Sequence, residues 1–325
     1  MKHEDITQFL LEELQRKGAD DVVLQLSEGE NILIKFANNK ISTTKAWSST
    51  NLSVFVAKNK KVLISSLKTF DKDTAKKLAE HMMNSINKIQ ANKDYQGIAN
   101  GPFKYAEEKE FYDKKIAEMD EEIISLTKQA IDTALKKTKR TAGVFERTSG
   151  ESYLLTSNNV KARERGTGLY FTIRALIDQN SSGYGSCVSR MKNKMKIQET
   201  AEHAANIAQL SKGPKISMSG KFDVLFAPHA FAAIVDHFAN NASVFSVESG
   251  LSCLNNQLGK KVADSQVTLY DDATIPNGYS SSLFDAEGTP MQRTPIIEKG
   301  ILKNYLHNAS TAKRYKTKST GNAGL

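Results

Sequence analysis

The 325-residue chain is predicted to be α+β with two domains, the first built from duplicated helix-plus-β-meander units and the second β-rich with one helix. Three observations predict this. The length suits about two domains, each able to bury a core. Apolar residues recur with a helical period in some segments and with a period of two in others. The order of those segments repeats after about 120 residues. The predicted division is 1–213 and 219–325.

The first element is a helix, because Ile6, Phe9, Leu10 and Leu14 share a face and Gly18 ends it. VVLQLSE and NILIKFA flank Gly29 and read as a hairpin, with apolar and polar residues alternating on either side. After NNKISTTKAW, the runs LSVFVAKN and KVLISSL read as a second pair joined by a polar turn around Asn59. A helix starting near Asp73 or Thr74 carries a capping residue and an apolar stripe through Ile86. Residues 91–115 are polar, contain Gly97, Gly101 and Pro102, and read as a connection.

The order then recurs: helix DEEIISLTKQAIDTALKK, strand-like TAGVFERT, Gly150, YLLTSNN and LYFTIRALI. Asn38–Asn39 and Asn158–Asn159 stand at matching places, which supports duplication, although Asn pairs also form turns in unrelated segments. SSGYGS at 181–186 reads as a strand connection, with a mobile loop as the alternative. A helix over about 197–211 stops at Gly213-Pro214. Beyond it come a strand, FDVLFA, a helix over 229–241, and strands within DSQVTLYDD, RTPIIE and ILKNYL. Lys299-Gly300 supplies a tight turn between the last two, and Pro295 places its strand at an edge or itself near a strand start.

Composition excludes several classes. With 39% hydrophobic and 25% charged residues the chain is ordinary and globular. No apolar run approaches the ~18 residues of a membrane span, and the N-terminus carries acids, so a cytoplasmic protein without a membrane partner is expected. Cys187 and Cys253 form no disulfide framework and no CxxC metal spacing. The net charge of +9 permits acidic partners. The basic runs SRMKNKMK and TAKRYKTKST lack interleaved aromatics apart from Tyr315, so they read as a solvated face and nucleic acid is not an expected partner. Phosphate-loop and nucleophile-elbow motifs are absent, and GTGLYF lacks the third glycine of a dinucleotide fingerprint.

HAFAAIVDH at 229–237 raises the question of a metal. On one helix, His229 and His237 stand about 12 Å apart along the axis and about 80° apart around it, so they cannot share an ion. Ala232 and Ala233 occupy the places where a zinc helix would carry a second imidazole and a carboxylate. The acids Asp271, Asp272, Asp285 and Glu287 sit in loops between strands. They suit an acid/base or cation site, or turns in which the acid accepts backbone N–H groups; residue chemistry favours turns.

FDAEGTPMQRTPIIEKGILKNYL, followed by STGNAG, resembles the TldD/PmbA family, called modulators of DNA gyrase and related to metallopeptidases. GLSCLNNQLGKKVADSQVTLYDD and the early NNKIS extend the likeness over essentially the whole chain, most specifically from about Lys221 to Gly324. The resemblance implies a TldD branch whose HExxxH helix and a later cysteine hold zinc, paired with a PmbA/TldE branch lacking that motif. Together the two branches act on unfolded or precursor peptides. Here only His237 of the zinc helix is retained.

The expectation is therefore a PmbA/TldE-like, non-catalytic subunit of a cytoplasmic metalloprotease complex, with no catalytic residue and no metal or cofactor of its own. Zinc is expected in a TldD-like partner, the assembly is a heterodimer or alternatively a homodimer, and the substrate is a peptide. Asp285, Glu287, Gly288 and Arg293 are expected to line a peptide groove or mark the fold. Two rival readings are an active metallopeptidase drawing on His237, His307 and Cys253, and a basic regulator binding nucleic acid or a topoisomerase. By resemblance, relatives continue well past STGNA. The stop at Leu325 is thus expected to reflect truncation, a shortened product or closure on a partner; truncation would leave an open sheet edge.

Overall fold

A computed structural model describes residues 2–107 and 110–324. Leu325 and positions 108 and 109 of the 91–115 connection lie outside the described residues. The architecture is α+β. In chain order the elements are α1 (His3–Arg16), β1 (Asp21–Ala37), β2 (Lys40–Lys58), β3 (Lys61–Leu67), α2 (Lys72–Ile86), α3 (Lys114–Ala117), α4 (Glu122–Leu135), β4 (Arg140–Thr156), β5 (Lys161–Leu176), β6 (Ser182–Ser189) and α5 (Ile197–Leu210). They are followed by α6 (Pro228–Asn241), α7 (Val244–Glu248), β7 (Leu269–Asp272), β8 (Arg293–Glu298), β9 (Ile301–Leu302) and α8 (Ala309–Arg314).

The first six strands form one antiparallel sheet in the order β3-β2-β1-β4-β5-β6. Each half is a meander flanked by two helices: α1 and α2 accompany β1–β3, and α4 and α5 accompany β4–β6. Even-numbered residues of β1 and odd-numbered residues of β4 face the helices, consistent with the two-residue period of a strand. Ile6, Leu10 and Leu14 of α1 pack on Val22, Leu24, Leu52 and Val54, while Ala130, Ala134 and Ala204 pack around Phe145, Phe171 and Ile173. The two cores lie at opposite ends of one sheet face.

The hairpin expected around Gly29 is instead the middle of β1. Gly29 pairs with Ser49 on one side and Gly150 on the other, and the segment around Gly150 is likewise one continuous strand, β4. A Cβ on Gly150 would lie 2.6 Å from the carbonyl oxygen of Glu28, so the glycines permit a close backbone approach between the paired strands β1 and β4. The turns fall at the Asn pairs. Asn38, Asn39 and Asn159 hold positive φ, as hairpin turns require, and the NNKISTTKAW segment is the opening half of β2. SSGYGS, expected to be a connection, forms most of β6: a Cβ on Gly183 would sit 2.0 Å from the Ala204 oxygen, so glycine lets α5 lie directly on the strand.

Capping sets α2 slightly earlier than predicted, with the Asp71 carboxylate accepting from Thr74 N at 2.8 Å. The remaining strands form a three-stranded sheet in the order β7-β8-β9, with Lys299 and Gly300 both at positive φ in its turn. Pro295 is the third residue of β8 and pairs with Tyr270 of β7. ILKNYL leaves the ladder after Leu302, because Leu306 N turns to bond Ala242 O. FDVLFA forms no strand: no neighbouring strand supplies hydrogen bonds to it among the described residues, and Leu225 is fully exposed. The helix expected over 229–241 is α6, accompanied by the short α7 and α8.

Phe284 binds the later residues to the sheet face opposite the helices, packing with Val23, Leu154, Val160 and Ala162. No helix among the described residues is long and apolar enough to cross a membrane.

Candidate functional site

Pro228 opens α6, and no residue of that helix is buried. His229 and His237 are exposed on it, with Ala232 and Ala233 between them. A methyl group neither binds a cation nor takes a proton from water, so this helix does not fit a catalytic metal. His307 is buried elsewhere, with Nδ1 3.2 Å from Thr311 Oγ1, and its burial lowers its pKa. Cys253 is exposed, its N–H bonded to Asn241 Oδ1. Among the described residues no three His, Cys, Asp or Glu side chains converge as metal ligands, so His237, His307 and Cys253 are not assembled into a site.

Three of the four expected signature residues come together. The turn at 285–289 places the Asp285 carboxylate to accept from Glu287 N at 3.0 Å, Thr289 N at 2.8 Å and, through its other oxygen, Ala323 N at 3.0 Å. This is the turn-forming role weighed in the sequence. Glu287 is 8% exposed, and its Oε2 accepts from Ala309 N at 3.2 Å. Burial, followed by the charge of Asp285, pushes its pKa up to about 7. Burial also raises Asp285, against the pull of its backbone donors.

Gly288 sits where the turn meets the sheet. At φ +82°, a Cβ there would lie 2.3 Å from Val160 Cγ1, and Tyr105 donates its hydroxyl to Gly288 O at 2.7 Å. Arg293 stands apart from this turn, stacked 3.9 Å over the Tyr270 ring and 3.6 Å from Asp272 Oδ2, with its side chain 60% exposed. The segment after α8 links the two acidic pairs, because Asn322 Nδ2 donates to Asp271 at 2.9 Å and the next residue caps Asp285.

Glu287 also walls a cavity of about 570 Å³ between the sheet and the later residues, lined among others by Phe55, Tyr95, Ile98, Ser310 and Arg314. Tyr95 donates to Asp21 at 2.8 Å, and burial with that carboxylate raises its pKa. Arg314 bonds Glu248 at 2.7 Å and lies 3.5 Å from Asp94. The cavity has aromatic and aliphatic walls together with the carboxylates of Asp94, Glu248 and Glu287 and the guanidinium of Arg314, so its charged lining is mainly acidic.

Sequence reasoning missed Tyr95, Tyr105, Ser310, Arg314 and Arg190. Arg190 donates to Phe111 O at 3.0 Å and Ser281 O at 2.5 Å, holding the later residues against β5 and β6. Each of these residues acts across a long sequence separation, and single-chain periodicity carries no signal for such pairs.

Comparison with known proteins places three consecutive matches along the chain: domain 1 of the PmbA/TldA metallopeptidases at residues 22–86, their central domain at 115–212 and their C-terminal domain at 219–325. An uncharacterized protein of Methanocaldococcus jannaschii is 26% identical over 315 residues, covering 95% of this chain and 72% of that protein. A metalloprotease TldD homolog of Buchnera aphidicola is 36% identical over 132 residues, 40% of this chain and 27% of that protein. A Thermotoga maritima protein, solved under the description of a DNA gyrase modulator, shares the fold with a TM-score of 0.87 at 22% identity, covering 100% of this chain and 75% of that one.

Proposed function

Because the chain belongs to the PmbA/TldD metallopeptidase family, we propose that it is a PmbA/TldE-like, non-catalytic subunit of a cytoplasmic metalloprotease complex acting on unfolded or precursor peptides. One observation carries the reading: on α6 the positions for a histidine and a glutamate are Ala232 and Ala233, and the remaining His237 is solvent-exposed. The partner is a TldD-like chain that brings the metal, in a heterodimer, and this chain contributes binding surface. Asp285, Glu287 and Gly288 shape one wall of the peptide-binding groove, and Arg293 lies at its outer rim. On this reading residues 1–213 and 219–325 are the two domains, and the cavity beside Glu287 lies between them.

Co-purification from the native cell, followed by peptidase assays of this chain with and without the protein recovered beside it, tests the proposal. Hydrolysis is expected only with the partner present. Chelator-sensitive hydrolysis by the isolated homogeneous chain, with stoichiometric zinc, overturns it.

A further inference from the structure

β2 is paired to β1 from Lys40 to Ala57, whereas β3 covers its other side only from Leu52 onward. Residues 40–51 therefore present an outer strand edge with no pairing segment among the described residues, and 42–49 are exposed throughout. The matching stretch of the second repeat is not open. There, beyond the reach of β6, Thr167 N bonds Phe111 O at 2.9 Å, Arg165 stacks 4.5 Å over Tyr112, and Glu164 accepts from Leu283 N at 2.8 Å. Among the described residues, one repeat has its edge covered by other parts of the chain and its twin does not.

The open edge is also chemically selective. Residues 31–50 contain Lys35, Lys40 and Lys45 and no Asp or Glu. Lys45 lies 5.2 Å over the ring of Trp47, which is 38% exposed on the same face. A row of unpaired backbone groups takes an extended chain as an added strand, and cations along it select acidic side chains. A second copy is disfavoured as occupant, because self-pairing would set lysine edges against each other.

We propose that the Lys40–Asn51 edge of β2 binds an extended, acidic peptide segment by strand addition. This inference does not rest on the subunit assignment: it concerns the chain alone, and its test measures binding without hydrolysis.

Trp47 is the only tryptophan in the chain, so its emission reports on this edge. The probe is a blocked decapeptide of alternating Glu and Thr, compared with its Lys/Thr counterpart and with a Glu/Thr peptide N-methylated at alternate residues. A saturable change in Trp47 emission, weakened by added salt, is expected for the first peptide only, with amide-exchange protection confined to about residues 42–50. Combining Lys40→Glu with Lys45→Glu is expected to weaken binding roughly fivefold or more. The proposal is overturned if the Glu peptide gives no saturable change, or if the N-methylated peptide binds as well. Self-association that buries Trp47 and that the Glu peptide does not compete with overturns the choice of occupant. The peptide comparisons on the parent chain stand even if the double variant folds poorly.

Discussion

Gly29 and Gly150 face each other across the β1–β4 pair, at the point where the two repeats meet. The two positions differ in clearance. A Cβ on Gly150 would come within 2.6 Å of Glu28 O, while one on Gly29 would stand 3.3 Å from Ser149 O. Alanine at 150 is therefore expected to destabilise the protein by about 1–3 kcal/mol through forced backbone displacement, and alanine at 29 by less. Urea unfolding of both variants checks the order; equal losses would contradict it.

Glu287→Gln removes a buried charge and keeps an acceptor for Ala309 N. The parent carboxyl has its folded pKa raised from 4.5 to about 7, so its contribution to stability is fully present below pH 4.5 and is lost as pH rises through 7. The glutamine variant is expected to flatten that slope and to be the more stable protein above pH 7, by up to ~3 kcal/mol. Unfolding curves at pH 4.5 and pH 8 decide it, and parallel curves for the two proteins would refute it.

Gly288→Ala places a methyl group 2.3 Å from Val160 Cγ1 at a backbone conformation that glycine favours. Strain and overpacking together are expected to cost about 2–4 kcal/mol and to loosen the Phe284 contact with the sheet. Faster proteolytic cleavage within 269–324, with the first six strands still protected, is the signature to seek.

His237→Ala is expected to change stability by no more than about 0.5 kcal/mol, with or without added zinc, because the side chain is exposed and belongs to no group of three His, Cys, Asp or Glu among the described residues that could hold a metal. A zinc-dependent rise in melting temperature that this substitution removes would show that α6 does hold metal.

Much of the fold was legible in the sequence. The Asn59 and Lys299-Gly300 turns announced themselves through their polar and glycine-bearing sequences between alternating runs, and α1, α2 and α5 showed their apolar stripes. Gly29 misled because glycine marks a turn and a close approach of paired strands alike, and only the partner strand distinguishes them. FDVLFA misled because an alternating pattern specifies a strand only where another strand is present to pair with it. At the site, the turn role of Asp285 was readable from Asp-x-Glu-Gly. The burial of Glu287 was not, since it depends on Ala309 and Tyr95 meeting it from distant parts of the chain.

The joining of β1 to β4 has a consequence for synthesis. Residues 21–37 are made long before residues 140–156. Until the later strand emerges from the ribosome, the inner flank of β1 has no neighbour and is a sticky edge on the nascent chain. The slowest productive event is expected to be the closing of that distant pair, as topologies rich in remote contacts fold slowly, and a chaperone acting on this protein would be most needed in that interval.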